Sequence, residues 1–107
     1  MSPFPTHPAR RLTVFLHSRD HVGHHTLVVE LLRRARHIGV HGATVVRAGS
    51  GFGHSGHRHA THVFAEDAPE TLVVVDRADL VDAFARDVAV LAPDALVVVH
   101  DVDVVEL

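Results

Sequence analysis

The sequence predicts one α+β domain in which four strands and two helices follow the order βαββαβ and the strands form a single antiparallel sheet. Short β-branched runs typical of strands alternate with two stretches that have the three- and four-residue spacing of amphipathic helices. The chain has 107 residues, which suits one domain with a single core. Right-handed crossovers then place both helices on the same face of the sheet.

The composition narrows the classes of function. There is no cysteine, so disulfides and thiolate metal sites are ruled out. Lysines and arginines number 10 against 13 aspartates and glutamates, so we expect no nucleic-acid partner. No apolar run reaches the roughly 18 residues of a membrane span, and the N-terminus lacks a signal-peptide hydrophobic region. We therefore expect a cytoplasmic protein that does not insert directly into a membrane.

The first predicted elements are a strand and a helix. Prolines crowd the start of the chain and predict a disordered tail over residues 1–9, which leaves a single folded domain over residues 10–107. β-branched and aromatic residues predict the first strand at Arg11–Leu16. Apolar residues then recur at three- and four-residue steps from Val22 to Ile38, which predicts an amphipathic helix capped by Gly39.

The middle of the chain is predicted to hold two strands joined by a long glycine-rich loop. The second strand is expected at Ala43–Arg47 and the third from near Ala60. We expect the third strand to break at residues 67–69, where Pro69 indicates a bulge or a corner, and to resume at Thr71–Val75. The residues between the second and third strands lose all apolar periodicity, which in so short a chain indicates a functional or a disordered loop.

The last two predicted elements complete the βαββαβ order. Asp76 or Asp79 is expected to cap the second helix with its carboxylate, and Pro93 is expected to end it. The apolar run Leu96–Val99 predicts the fourth strand, which continues through alternating valines and acids as far as Val104. This order of elements predicts the ferredoxin-like arrangement, a four-stranded antiparallel sheet with two helices on one face.

The predicted strands are apolar on both faces. Runs of apolar residues at Leu12–Leu16, Leu72–Val75 and Leu96–Val99 place hydrophobic side chains on either side of the sheet, whereas the two helices cover only one side. Leaving the other side in water would cost roughly 25 cal/mol for each exposed apolar Å². We therefore expect a homo-oligomer.

The segment Gly49–Gly56 is the main functional candidate. Its glycines permit close backbone approach, and their N–H groups can hold an anion, although the same glycines also suit a simple mobile loop. No helix is predicted to follow, so the segment is neither a P-loop nor a dinucleotide fingerprint. Phe52 suits a partner's pocket, a planar ligand, or packing on its own subunit. The predicted ligand-binding residues, with charge supplied by the two arginines, are Arg47, Gly49, Gly51, Phe52, Gly53 and Arg58.

Histidines cluster in and after this segment. If the chain is extended there, residues two apart face the same way, so His57 and His59 could bind one ion together with His54. Neutral imidazoles suit zinc, copper or nickel. Because the chain contains 12 histidines spread along its length, compositional bias also explains the cluster. A histidine-rich protein that binds a divalent metal such as zinc is therefore the alternative function.

A catalytic site has little support in the sequence. Ser50 or Ser55 beside His54 lacks the nucleophile-elbow context of hydrolases. The carboxylates near the C-terminus alternate with valines and indicate the solvated face of a strand: Asp101, Asp103 and Glu106. We predict no catalytic residues and keep a small enzyme with a site between subunits as the lesser alternative.

The region around the glycine-rich segment resembles a known family. Gly42–Arg47 running into Gly51-Phe52-Gly53, with His59 at the start of the next strand, resembles the family called domain of unknown function 190, whose members are PII-like proteins. The similarity extends from Leu12 to Val105. Its most specific part is the glycine-phenylalanine-glycine loop in its Gly-Ala-Thr-Val context.

This resemblance implies an assembly and a function. It implies a trimer in which three sheets line the centre, and it equates the segment from about Ala48 to Ala60 with the T-loop by which PII proteins contact their partners. The effector, typically an adenine nucleotide, is expected in the cleft between subunits. The target of such a signalling protein is expected to be a protein such as a membrane transporter or an enzyme, reached through Gly49–Gly56.

The sequence departs from PII proteins at two places where those proteins bind phosphate. The turn before the fourth strand, Leu91–Ala95, contains neither lysine nor glycine. The C-terminus from Asp101 onwards is acidic where PII proteins have arginines. The predicted effector is therefore a nucleotide or another small anion, with a divalent metal such as zinc as the alternative.

Overall fold

The computed structural model describes residues 3–48 and 68–107 of the chain. In these two ranges the elements are, in chain order, β1 (Thr6–His17), β2 (His21–Val22), β3 (His25–Thr26), α1 (Leu27–Ile38), β4 (Thr44–Arg47), β5 (Pro69–Asp76), α2 (Ala78–Leu91) and β6 (Leu96–Val105). Neither helix in the described ranges has the length and apolar character required to cross a membrane.

The main sheet has four strands in the order β4-β5-β1-β6, and all neighbours are antiparallel. β1 is central, because it pairs with β5 over Arg10–His17 and with β6 over Thr6–Phe15. The short strands β2 and β3 form a separate hairpin in front of α1. Together with the two helices, this arrangement confirms the predicted ferredoxin-like βαββαβ fold.

The hydrophobic core lies between the sheet and the two helices. Alternate residues of the central strands point into it, and Leu12, Val14 and Leu72 are at most 1% exposed. Each helix adds one buried stripe, composed of Leu27, Leu31 and Ala35 on α1 and Val81, Phe84 and Val88 on α2. Full burial of one large apolar side chain stabilises the fold by about 1.5–3 kcal/mol. Because the core contains side chains of β1, β5 and both helices, it holds these elements together.

β1 begins at Thr6 rather than at the predicted Arg11. Its first residues pair with the end of β6, with Pro8 opposite Asp103. Pairing with β5 starts only at Arg10, so among the described strands this part of β1 has a neighbour on one side only. Proline is tolerated at such an edge, where its missing N–H is not needed. The prediction of a disordered tail is therefore wrong for residues 6–9.

α1 begins at Leu27 rather than at the predicted Val22. Gly23 has a φ of 59° in the turn of the β2–β3 hairpin, a left-handed conformation that ends any helix begun before it. Thr26 is the N-cap, and its hydroxyl accepts a hydrogen bond from a first-turn N–H at 3.4 Å. Gly39 is the C-cap, as predicted, with a φ of 101°.

The start of α2 differs from the prediction, whereas its end agrees with it. The N-cap is Arg77, whose side chain makes no capping hydrogen bond, so the prediction of a cap at Asp76 or Asp79 is wrong. Asp79 lies in the first turn, and Asp76 accepts the Arg77 N–H as the last residue of β5. The helix ends at Leu91, just before Pro93.

The strands β4 and β6 confirm the second and fourth predicted strands to within one residue at each predicted end. β5 runs without interruption from Pro69 to Asp76, so the strand resumes two residues before the predicted Thr71 and has no bulge within these bounds. A corner before Pro69 stays a prediction, because residue 67 lies outside the described residues. Pro69 is the first residue of the strand, a position that does not require its N–H. The predicted part of the third strand from Ala60 to residue 67 lies outside the described residues.

Candidate functional site

One end of the sheet brings together the end of β1, the end of β4 and the start of β5. The described ranges end at Ala48 and begin again at Ala68 on these neighbouring strands. The Ala48 N–H donates to the Pro69 carbonyl at 2.9 Å. We call residues 47–48 and 68–70 the neck, because they flank the segment 49–67 on both sides. The neck holds the two flanks of the predicted loop at the spacing of paired strands.

The neck is bound to the turn that follows β1. Ser18 pairs with both polar backbone groups of Ala68: its N–H donates to the Ala68 carbonyl, and its Oγ accepts from the Ala68 N–H, both at 2.8 Å. Asp20 closes the turn, with its Oδ2 accepting from the His17 N–H at 2.9 Å. Side-chain bonds to turn backbone of this kind fix the local geometry, so the neck is well anchored to the central strand.

An ion pair crosses the neck. The strand register places Arg47 opposite Glu70, and Arg47 Nη2 lies 3.4 Å from Glu70 Oε2. The Arg47 side chain is 64% exposed, whereas that of Glu70 is 4% exposed. The site therefore presents a positive guanidinium to solvent above a buried carboxylate, which suits the binding of a small anion.

The sequence identified Arg47 as a candidate and missed Glu70. The sequence could have indicated Glu70, because it is an acidic residue at the start of a strand, Pro69–Asp76, that is otherwise uncharged up to its final aspartate. The remaining predicted residues lie outside the described residues. They are Gly49, Gly51, Phe52, Gly53 and Arg58 for ligand binding and His54, His57 and His59 for metal; Ser50 and Ser55, for which no catalytic role is predicted, also lie outside the described residues.

The described ranges contain no group of three or more histidine, aspartate or glutamate side chains positioned to hold a metal ion. Two of the C-terminal carboxylates, Asp101 and Glu106, have partners within the chain. Asp101 accepts from Arg10 Nε at 2.9 Å, and Glu106 Oε1 lies 3.1 Å from His7 Nδ1. Asp101 and Asp103 are exposed while the valines that follow each of them are half-buried, which confirms that these acids lie on the solvated side of β6.

A pocket of about 530 Å³ lies at the opposite end of the sheet, between the starts of β1 and α2 and the end of β6. Its arginines are already engaged within the chain. Arg10 Nη1 donates to both oxygens of Asp82 at 2.8 and 3.0 Å, and Arg77 Nε donates to Asp79 at 2.8 Å. Arg10 is paired with two carboxylates, Asp82 and Asp101, whereas Arg47 at the neck is paired with one, Glu70, in the described part of the chain.

The face of the sheet away from the helices is apolar and exposed. Among the described residues, five large hydrophobic side chains on this face are between 40% and 57% exposed: Phe15, Val46, Val75, Leu96 and Val98. This is the uncovered face that the sequence predicted from strands apolar on both sides. Contiguous apolar surface of this kind marks an interaction surface, and we call these five residues the open face.

Several solved structures resemble this fold. CPII from Thiomonas intermedia K12, bound to ADP and bicarbonate, is 26% identical over 96% of this chain and 94% of that chain, with a TM-score of 0.70. The apo form of CPII, described as a nitrogen regulatory PII-like protein, is 24% identical over 97% and 99% of the two chains, with a TM-score of 0.61.

A PII-like fold is also found in a more distant relative. A putative PII-like signaling protein from Thermus thermophilus is 20% identical over 94% of this chain and 92% of that chain, with a TM-score of 0.67. Among curated protein sequences, none matches the chain at a significant level. The family model DUF190, described as an Uncharacterized ACR, matches residues 9–104, so the chain belongs to this family of PII-like proteins, as the resemblance predicted.

Proposed function

We propose that this chain is a PII-like regulatory protein that binds a small anionic effector, a nucleotide or another anion, in a cleft between subunits next to the neck. The observation that carries the proposal is the exposed Arg47 guanidinium at the neck of a chain that is 26% identical to CPII, a protein bound to ADP and bicarbonate. An exposed guanidinium on a rigid support is suited to phosphate and carboxylate groups.

The open face supports a homotrimer. A second copy of the chain could cover the side of the sheet that the helices leave exposed, and burial of this apolar surface would favour association. Strand β6 also exposes apolar side chains on the opposite face of the sheet, where Val97 and Val99 are 38% and 53% exposed and could form a second contact with a neighbouring chain. Subunits joined through these strands would bring a neighbouring chain towards the neck, which would complete a cleft that one subunit leaves open.

The effector is proposed to contact both the neck and the glycine-rich segment. The proposed ligand-binding residues are Arg47, Gly49, Gly51, Phe52, Gly53 and Arg58. The turn from Ala92 to Ala95 precedes β6 at the same end of the sheet and contains no cation. We therefore assign most of the positive charge that meets the effector to Arg47 and Arg58, rather than to that turn.

The output is proposed to be regulatory rather than catalytic. The related structures are described as a nitrogen regulatory PII-like protein and a putative PII-like signaling protein. We propose that effector binding changes how Gly49–Gly56 contacts a target protein, which could be a membrane transporter or an enzyme, and that the protein acts in the cytoplasm.

Calorimetric titration of the purified chain with ADP, AMP and bicarbonate tests this function. We expect saturable binding of ADP and a melting temperature that rises with ADP concentration, because a ligand specific to the folded state stabilises it. Arg47→Gln should weaken ADP binding tenfold or more, the usual loss for a hydrogen bond between charged groups. Arg77→Gln, at the opposite end of the sheet, is the matched control and should bind ADP as the wild type does. No binding of any of the three compounds would contradict the proposal.

A further inference from the structure

We infer that Glu70 is a positioning residue that holds the Arg47 guanidinium at the neck for an anionic effector, an inference that rests on the function proposed above. The two residues face each other across β4 and β5. Arg47 is the last residue of β4 and Glu70 is the second residue of β5. The contact between Nη2 and Oε2, at 3.4 Å, therefore lies where the two strands leave the sheet.

The partners differ in how freely they can move. Glu70 is 4% exposed and lies between Leu16 of the central strand and Arg47 of the edge strand. Arg47 carries a long side chain that is 64% exposed. A buried carboxylate surrounded by paired strands stays in place, whereas an exposed arginine samples many rotamers. Contact with the fixed carboxylate restricts those rotamers before any ligand arrives, which reduces the entropy lost when the ligand binds.

The guanidinium keeps donors for a ligand. Arg47 has five N–H donors, and the contact with Glu70 involves Nη2. In residues 3–48 and 68–107, no hydrogen bond engages Nε or Nη1 of Arg47. Nη2 carries two N–H groups, and the one that does not face Glu70 forms an edge with Nε or with Nη1 that matches the spacing of two oxygens of a phosphate. One edge of the guanidinium can thus face the effector while the other remains with Glu70.

The buried carboxylate also depends on Arg47. Glu70 Oε1 is buried and has no hydrogen-bond partner in the described part of the chain. The other carboxylate oxygen, Oε2, is in contact with the Arg47 guanidinium. Removing one partner of a buried pair leaves an uncompensated charge. Arg47→Gln should therefore lower the melting temperature more than Glu70→Gln, which removes the buried charge itself.

The test combines ADP affinity with a direct measure of Arg47 mobility in the full chain. We expect Glu70→Gln to weaken ADP binding about three- to tenfold in the wild-type background and to have no further effect in the Arg47→Gln background. Glu70→Asp keeps the charge but shortens the side chain by one methylene group, so it should weaken ADP binding as well. Asp79→Asn, which removes the carboxylate from an exposed Arg77 pair at the other end of the sheet, is the matched control and should leave ADP binding unchanged.

Nuclear magnetic resonance relaxation at the arginine Nε measures the positioning without any ligand. The Arg47 Nε order parameter should exceed that of exposed Arg36 in the wild type and should fall to the Arg36 level in Glu70→Gln. Equal Arg47 mobility in the two proteins, tighter ADP binding by Glu70→Gln, or the same loss of affinity in both backgrounds would overturn the inference. If the wild type does not bind ADP, the proposed ADP function fails, and the order parameter still decides whether Glu70 holds Arg47.

Discussion

His41, in the turn between α1 and β4, contacts one carboxylate oxygen of Asp76 twice. Its backbone N–H donates to Oδ2 at 2.9 Å, and its Nδ1 lies 3.0 Å from the same atom. The Arg77 N–H donates to Oδ1 at 2.8 Å. Burial alone would raise the pKa of Asp76, but these hydrogen bonds and the attraction of His41 outweigh it, so the pKa of Asp76 lies below its ordinary value. One carboxylate thus joins the α1–β4 turn to the start of α2.

Asp76→Asn should lower the free energy of unfolding by about 1–2 kcal/mol at neutral pH, the scale of a lost hydrogen bond to a charged group. A carboxylate with a lowered pKa in the folded state contributes stability above its unfolded pKa of about 3.9, and this contribution is lost as the pH falls through the folded value. The difference between wild type and variant should therefore shrink below about pH 4. Urea unfolding at a series of pH values measures this difference in the free energy of unfolding.

The control for this prediction is Asp79→Asn. Asp79 is 68% exposed and pairs only with the equally exposed Arg77 in the described part of the chain, so its loss should cost less than about 0.5 kcal/mol. A stability difference for Asp76→Asn that is the same at pH 3 as at pH 6 would show that the carboxylate charge makes no contribution.

The elements of the fold could be predicted because their apolar periodicity is strong. The stripe through Leu31 on α1 and the stripe through Phe84 on α2 are buried where the sequence placed them. The wrong predictions occur where the folded structure overrides the preference suggested by the local sequence. Pro8 suggested a tail, but β6 pairs with it from one side. Gly23 lies inside an apolar pattern that suggested helix, but its left-handed φ makes a hairpin.

The candidate site was predicted only in part for a similar reason. Arg47 could be identified because it ends a strand and precedes a run of glycines, both of which are visible in the sequence. The role of Glu70 depends on the residues that surround it after folding, Leu16 on one side and Arg47 on the other. Those contacts join positions far apart in the chain, and periodicity carries no information about them.

Gly39→Ala should destabilise the protein by about 1–2 kcal/mol, because an alanine at a φ of 101° meets the steric penalty of the left-handed region. Packing against the rest of the fold does not add to this loss, since, apart from the local backbone around Gly39, no atom of the described residues lies within 4 Å of the position that a Cβ would take. Gly42→Ala is the matched control: its surroundings are equally open and its φ is not in that region. Gly42→Ala should be neutral or slightly stabilising, by up to about 1 kcal/mol. Thermal and urea unfolding compare the two variants.

Phe15→Arg should dissociate the proposed trimer. Phe15 is 43% exposed at the centre of the open face, opposite Thr71 on β5 and Leu96 on β6, so a charge there would be buried in any interface formed by this face. Sedimentation velocity at micromolar protein should give a trimer for the wild type and monomers for the variant. Val90→Arg, at a position 79% exposed on α2, should leave the trimer intact. A well-folded wild-type monomer would contradict the assembly.

The metal hypothesis concerns His54, His57 and His59, which lie outside the described residues. If they form a site, one equivalent of zinc per subunit, or per trimer if the ligands meet on its axis, should bind with micromolar or tighter affinity. Binding should weaken below about pH 6.5, because protonated imidazole does not bind metal. The double variant His57→Ala/His59→Ala should abolish binding in titration calorimetry, whereas His24→Ala/His25→Ala, on the β2–β3 hairpin, should retain it. Weak, non-stoichiometric uptake, or tight uptake that survives the loop substitutions, would exclude this site and leave Gly49–Gly56 as a protein-binding segment.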